Sequence, residues 1–493
     1  MSPELTGFRQ RITDLAAAQP DACALWGDDL KLSYAELDAE INLRQERLKD
    51  LDARVVALAL ENGPDLLIWD LAILFAGLAC VTLPPFFSAA QRRHCLEQSQ
   101  ADVVIADDSY SSELAPSAFR HEEGFWRRVN RQPSPLPVGT AKLTFTSGTT
   151  GTPKGVCLDA ASVLAVAFEL QRASESRQPA HHLSLLPLAI LLENVGCYAA
   201  LYAGAMLSLP SQRTLGIQGA SGVELPRLLS TLAVRQPHSM ILVPQLLLLL
   251  VSACEMNAFN PAALRFIAVG GAKVTHELLL RAEALGVPVY EGYGLSECAS
   301  VVALNRPDDH HPGSVGKPLP HVQIRLAEDG EVLIGGSRML GYLGDAEPTP
   351  EWWPSGDLGE FDANGYLYLH GRKKHQFVTS YGRNVNPEWV EAELTQRGRI
   401  AQAFVYGEAL PRNHALLWPL RPDTTDAQIH NAVAQANQAL PDYARVHNWT
   451  RLDQPFTTAN GMATANGRPR RDAILANYRH LFTEPTRAKD LQS

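Results

Sequence analysis

TFTSGTTGTPKG, residues 144–155, is the stretch on which the reading of this chain turns. Its glycines and single proline alternate with hydroxyl residues and one lysine, Lys154. Glycine lets the backbone approach a bound anion, successive N–H groups form a nest, and hydroxyls add neutral donors. That chemistry suits nucleotide phosphates. The GxxxxGK(S/T) spacing of a Walker loop is absent, so the stretch is a phosphate loop of another kind. Composition alone also admits a flexible surface loop, and the flanks have to decide.

On both sides, short β-branched runs alternate with longer helical ones, the pattern of an α/β sheet domain. Strands are expected over 55–60, 101–107, 264–270 and 287–290, a helix over 64–76, and a helix over 275–285 opened by a Thr275 cap. Residues 66–85 are the most apolar, but Asp70, Gly77 and the Pro84-Pro85 pair interrupt them, so they read as a buried helix and strand and not as a membrane span. From 330 to 369 short runs separated by Gly, Asp and Asn predict hairpins. After Arg372 a new alternation begins, with a helix over 387–395 and a strand near 403–406. The expected architecture is α/β: a large layered N-terminal domain, 1–371, with a small β-rich subdomain, followed by a small mobile α+β C-terminal domain, 372–493.

A chain of 493 residues is too long for one core, and its 46% apolar and 19% charged residues fit a globular enzyme. The net charge of −10 disfavours a nucleic-acid partner and leaves a polyanionic ligand to local donors. Seven scattered cysteines, with no CxxC pair and no His/Cys cluster at metal-ligand spacing, read as reduced, mostly buried thiols. With no apolar signal core near the start, a cytoplasmic protein without a transmembrane segment is expected.

The phosphate loop resembles the signature of the adenylate-forming superfamily: acyl-CoA synthetases, luciferases and nonribosomal adenylation domains. The resemblance continues in order through KLSYAELDAEI (31–41), EGYGLSE (291–297), GSVGKPLP (313–320), SGDLGEFDANGYLYLHGR (355–372) and GRNVNPEWVEAEL (382–394). It implies that Thr146, Ser147, Gly148, Thr149, Thr150 and Gly151 hold the β- and γ-phosphates of ATP, with Lys154 adding charge. Gly271, Gly292, Tyr293 and Gly294 would lie on the adenine side, Ser296 near the α-phosphate, and Glu297 on Mg²⁺. Asp357 and Arg372 would take the ribose. Lys374 would be the hinge on which the C-terminal domain turns, and Gly382 would border the thiol channel.

Two features refine the resemblance. In FTTANGMATANGRPRR (456–471) Arg468 stands where the family carries a lysine bridging the substrate carboxylate and α-phosphate, and a planar guanidinium is not equivalent to an ammonium. The segment LLPLAILLENVGCYAALYAGA (185–205) is similar to the long-chain fatty acyl-CoA synthetase branch, with Ile190 in place of that branch's histidine and no aspartate for an α-ammonium between 187 and 204. Ile190, Glu193, Val195 and Gly196 are the expected pocket residues. The implied activity is ATP-dependent formation of an acyl-AMP from an apolar acid and transfer to CoA. The alternatives are loading of the phosphopantetheine of an acyl carrier protein, or a nucleotide-binding homologue impaired in adenylation by Arg468.

Overall fold

The computed structural model describes residues 2–114, 118–133, 135–146, 153–218, 222–345, 347–464 and 467–483. They divide into two units, Met1–Ser355 with Gly359–Leu369, and Gly356–Leu358 with His370–Ser493.

The larger unit is built on two sheets whose inner strands are parallel. In the first, Thr140–Thr146, Ala79–Thr82, Val55–Ala59 and Val103–Ala106 lie side by side in parallel, with antiparallel strands at both edges. In the second, Val289–Tyr293, Phe266–Val269, Ser239–Leu242, His181–Leu183, Met206–Ser208 and Cys23–Trp26 run parallel in that order. Strands covered on both faces carry near-continuous apolar runs, which is why VVALA in Val55–Ala59 is buried throughout. The helices Pro3–Ala18, Tyr34–Lys49, Pro64–Phe75, Ala160–Ser174 and Leu191–Ala203 share one core with residues of both sheets, among them Leu58, Cys80, Leu25 and Leu207. A second core joins Met240, Leu242 and Ile267 to the helices Leu225–Arg235, Pro244–Glu255 and His276–Ala284. The fold class is the one the alternation predicts.

Local outcomes follow local chemistry. Thr275 caps the helix His276–Ala284, its hydroxyl accepting from the Leu278 N–H. The helix Pro64–Phe75 is buried at every position except Asp65. Asp70, the polar interruption in that run, is fully buried, ion-paired with Lys142, and accepts hydrogen bonds from Asn194 Nδ2 (2.9 Å), Cys80 Sγ (3.2 Å) and the Tyr198 hydroxyl. Six cysteines are buried and Cys23 half-buried, all free thiols. Several elements end one or two residues inside their expected bounds, as in Val103–Ala106 and Phe266–Val269; the strand expected over 287–290 instead runs Val289–Tyr293, because Gly292 and Tyr293 find antiparallel partners in Leu304 and Ala303.

The β-rich part is a four-stranded sheet of Val322–Leu326, Glu331–Gly336, Trp353–Phe361 and Leu367–Arg372. The smaller unit carries a three-stranded sheet, Ile400–Tyr406, Asn413–Pro419 and Val446–Arg451. Alternate residues of its strands face different cores: Ala403, Val405, Ala415 and Leu417 join Val390 and Ile429, while Phe404 and Leu416 join Phe456 and Ile474. Among the described residues no helix is long and apolar enough to cross a membrane.

Candidate active site

Two antiparallel strands, Thr140–Thr146 and Lys154–Asp159, flank the expected phosphate loop in sequence, with Thr146 opposite Lys154. Ser147, Gly148, Thr149, Thr150 and Gly151 lie outside the described residues. At the loop's ends, the Thr146 hydroxyl faces the Lys154 carbonyl at 3.5 Å, and the exposed Lys154 ammonium stands 5.4 Å from the Tyr342 ring centroid. The Tyr342 hydroxyl donates to Glu297 Oε1 at 2.8 Å. Burial, and then the Glu297 carboxylate, raise the Tyr342 pKa and keep this donor protonated. Backbone pairing fixes the arrangement: Tyr342 sits opposite Val156, and the Met339 N–H donates to the Glu297 carbonyl at 2.7 Å. Phosphate-loop strands, lysine and carboxylate are thus brought together through Tyr342. Sequence reasoning missed this tyrosine because GYLGD has no periodic or motif signal and its partner is 45 residues away.

EGYGLSE forms the end of the strand Val289–Tyr293 and a 3₁₀ turn, Ser296–Cys298, that carries Ser296 and Glu297. A Cβ on Gly294 would stand 1.5 Å from the Ser300 carbonyl oxygen, so only glycine fits. The backbone just beyond is left-handed at two non-glycine residues, Ala299 (φ 57°) and Ser300 (φ 101°). Such conformations cost about 1–3 kcal/mol each and persist where surrounding structure imposes them. Gly271 follows the adjacent parallel strand Phe266–Val269, and a Cβ on Gly270 would meet the Gly292 carbonyl at 3.1 Å, so these glycines abut at the carboxyl ends of neighbouring strands. That is where open α/β sheets bind ligands. Tyr293, expected along the adenine, is 9% exposed and sits in a core with Cys298, Val302 and Val332.

Glu291 begins the same motif and was not anticipated as special. It is buried, its Oε2 lacks a hydrogen-bond partner, and desolvation pushes its pKa up to about 7 against the opposing pull of Lys273 and the Val274 N–H. Between its ordinary value of 4.5 and about 7 the folded state holds the extra proton. Glu291 therefore takes stability away as pH rises through that window, and its penalty is complete above it. Glu291→Gln is expected to gain stability relative to the original chain by up to about 3 kcal/mol between pH ~5 and ~8, at 1.36 kcal/mol per pKa unit. Urea unfolding of both proteins across that range checks this; a constant difference would place the proton elsewhere.

The four expected pocket residues do not share a face. Val195 is fully buried in the core between the sheets, and the half-buried Ile190 packs against the second core. Gly196 lies against Ile241, where a Cβ would come within 2.3 Å of Cδ1. Helical geometry separates Val195 from Glu193 by roughly 200° around the axis, so one pocket wall does not take all four. Glu193 is fully buried and turns toward His182 on the strand His181–Leu183, 3.6 Å from Oε1 to Nε2. With Cys197, one helical turn on, they form a trio whose ligand-type atoms all lie within 4.8 Å of one another. Sequence spacing gave no sign of this trio, because a strand and a helix bring its residues together.

In the smaller unit Arg372 Nε meets Asp357 Oδ1 at 2.9 Å, with the Asp357 side chain nearly buried. Gly371 (φ 112°) has the Asn386 amide packed on its open face, donating to the His370 carbonyl. Lys374 is exposed in the following turn, and His375 pairs with Glu388. Gly382 is exposed at φ 70° in the turn joining Phe377–Val378 to Asn384–Val385. Arg468 is exposed on a tight bend, its N–H donating to Thr464 Oγ1 at 3.1 Å and its carbonyl accepting from the Thr464 N–H at 2.8 Å.

Comparison with known proteins extends these observations. The family described as AMP-binding enzyme matches residues 12–343, and that described as AMP-binding enzyme C-terminal domain matches residues 374–484. A long-chain-fatty-acid–CoA ligase of Mycobacterium bovis is 28% identical over 518 aligned residues, covering 83% of this chain and 84% of its own. A 2-succinylbenzoate–CoA ligase of Enterococcus faecalis is 26% identical over 425 residues, covering 79% and 83%. Among solved structures, the anthranilate CoA ligase AuaEII in complex with anthranoyl-AMP superposes with a TM-score of 0.78 at 18% identity over 95% of this chain and 96% of that one, a likeness of fold.

Proposed function

We propose, from the premise that this chain belongs to the AMP-binding enzyme family, that it activates a fatty or other largely apolar carboxylic acid with ATP and transfers the acyl group to CoA. Joining an acid to CoA is the chemistry these relatives are named for. The observation that carries the reading is the linked set Lys154, Tyr342 and Glu297 at the mouth of the phosphate-loop strands. It offers a cation for phosphate oxygens and a carboxylate oriented for Mg²⁺, which when bound would offset phosphate charge. The preference for an apolar acid draws on the long-chain relative and on a 185–205 segment with no aspartate after Pro187.

In the first half-reaction a substrate carboxylate oxygen attacks the α-phosphorus, the bond to pyrophosphate breaks, and acyl-AMP remains. Catalysis of this step rests on positioning and charge neutralisation. Thr146, the 147–151 loop and Lys154 are the proposed β- and γ-phosphate contacts. Gly271, Gly292, Tyr293, Gly294 and Ser296 take the adenosine side, and Asp357 with Arg372 takes the ribose. In the second half-reaction the thiol sulfur attacks the acyl carbon, AMP departs, and the thiol proton passes to solvent. Lys374 is the proposed hinge and Gly382 the proposed border of the thiol channel.

Mass spectrometry after incubation with Mg²⁺, ATP, CoA and a panel of fatty, aryl and α-amino acids tests the reading. Acyl-CoA, AMP and pyrophosphate are expected, with preference rising by about 0.8 kcal/mol per methylene until the pocket is full. A flat response to chain length, or robust turnover of an amino acid, overturns the substrate class; acyl-AMP without acyl-CoA points to a carrier protein as acceptor. Arg468 favours a second reading, a homologue slowed in adenylation. Arg468→Lys is expected to change pyrophosphate release while leaving the thiol step from preformed acyl-adenylate unaltered. An effect confined to the thiol step would remove Arg468 from the adenylation site.

A further inference from the structure

We propose that His182, Glu193 and Cys197 form a buried binding site for one divalent cation of the zinc class, independent of the nucleotide site. Their donor atoms are an imidazole nitrogen, a carboxylate oxygen and a thiol sulfur, none more than 4.8 Å from another. This mixed N, O and S set is the ligand chemistry of zinc, whereas magnesium demands oxygen ligands in octahedral geometry. Zinc–ligand bonds of about 2.0–2.3 Å in a tetrahedron put donor atoms about 3.3–3.8 Å apart. His182 Nε2 and Glu193 Oε1 already stand at 3.6 Å.

Two further observations point to a ligand. Both of those atoms are buried and neither has a hydrogen-bond partner, although 3.6 Å leaves them too far apart to satisfy each other. The other atom of each group is engaged: His182 Nδ1 with Ser239 Oγ at 3.0 Å, and Glu193 Oε2 with the Leu186 N–H at 3.3 Å. A histidine held at one nitrogen by a polar neighbour, with the other aimed at a carboxylate and a thiol, is the arrangement by which an outer contact orients a metal ligand. Glu193 and Cys197 stand four residues apart on the helix Leu191–Ala203, so both project from one face toward the strand that carries His182. A dication meeting one carboxylate and one thiolate leaves the buried site neutral, and the Cys197 proton passes to solvent on binding. Three protein ligands leave the fourth position for water.

The test needs neither ATP nor an acid, so it succeeds or fails apart from the ligase reading. The full chain, freed of metal with a chelator, is titrated with Co²⁺ and separately with Zn²⁺. One equivalent is expected to bind, with a thiolate-to-cobalt charge-transfer band and a rise in thermal stability by binding linkage. Cys197→Ser should abolish the band, while Cys95→Ser, altering a buried thiol elsewhere, should keep it. Ser239→Ala, which leaves all three ligands, should weaken the metal about 10–100-fold. A metal-free chain that stays folded and shows no band, or a band that survives Cys197→Ser, overturns the proposal.

Discussion

Glu297→Gln is expected to slow acid-dependent ATP–pyrophosphate exchange by about 10²–10³-fold, the usual cost of removing one well-aimed charge-stabilising group. The substitution is nearly isosteric, and the Gln carbonyl can still accept from the Tyr342 hydroxyl that reaches Glu297 Oε1 at 2.8 Å. What disappears is the negative charge offered to Mg²⁺, so the loss should appear in the rate of adenylation and in the Mg²⁺ concentration needed to saturate it. Tyr342→Phe isolates the positioning effect. Losing a hydrogen bond to a charged group costs about 1.5–3 kcal/mol, so that variant should fall between Glu297→Gln and the original. Exchange rates across a Mg²⁺ series, with thermal unfolding of the ligand-free proteins as a folding control, check both. Unchanged exchange in Glu297→Gln would remove this carboxylate from the reaction.

Asp70→Ala is expected to destabilise the larger unit by about 3–5 kcal/mol. Asp70 is fully buried, and its removal strands the 5%-exposed Lys142 ammonium without its counter-ion and leaves Asn194 Nδ2 without its acceptor. Burial alone would raise the Asp70 pKa, but Lys142 and the Tyr198 and Asn194 hydrogen bonds together hold it below the ordinary carboxylate value. The stability it contributes is therefore present above the unfolded pKa and lost as pH falls through the lower folded one. Removing both charges together, Asp70→Leu with Lys142→Met, should cost far less than the two single changes summed. Hydrogen exchange of the helix Pro64–Phe75 reads the effect without requiring the whole chain to unfold in one step. Near-additive losses in the double variant would mean that the pair is not coupled.

How much of this was legible in the sequence depended on the range of the interaction. The Thr275 cap, the buried helix before Phe75 and the buried thiols follow from local chemistry, and all were readable. Asp70 was visible only as a break in an apolar run; that it is answered by Lys142, 72 residues away, is a tertiary fact. Tyr342 depends in the same way on the pairing of Gly341–Tyr342 with the phosphate-loop strand. The expected pocket residues were read along the chain, whereas the helix points Val195 into one core and Glu193 toward a histidine on a strand. Glu291 looked like an ordinary motif residue until its burial was known.

The place of the strand Cys23–Trp26 bears on how the chain is made. It lies in the sheet between Lys31–Ser33 and Met206–Ser208, and it pairs in parallel with the latter. About 180 residues must therefore leave the ribosome before this early strand meets its partner, roughly 10–35 s at ordinary elongation rates. Over that interval one edge of the strand stays unpaired, while Lys31–Ser33 and the helices Pro3–Ala18 and Tyr34–Lys49, all made early, are available to pair with it and to pack on Leu25. Slow codons between residues 26 and 206 would lengthen the wait for that pairing, whereas slow codons ahead of residue 23 would not.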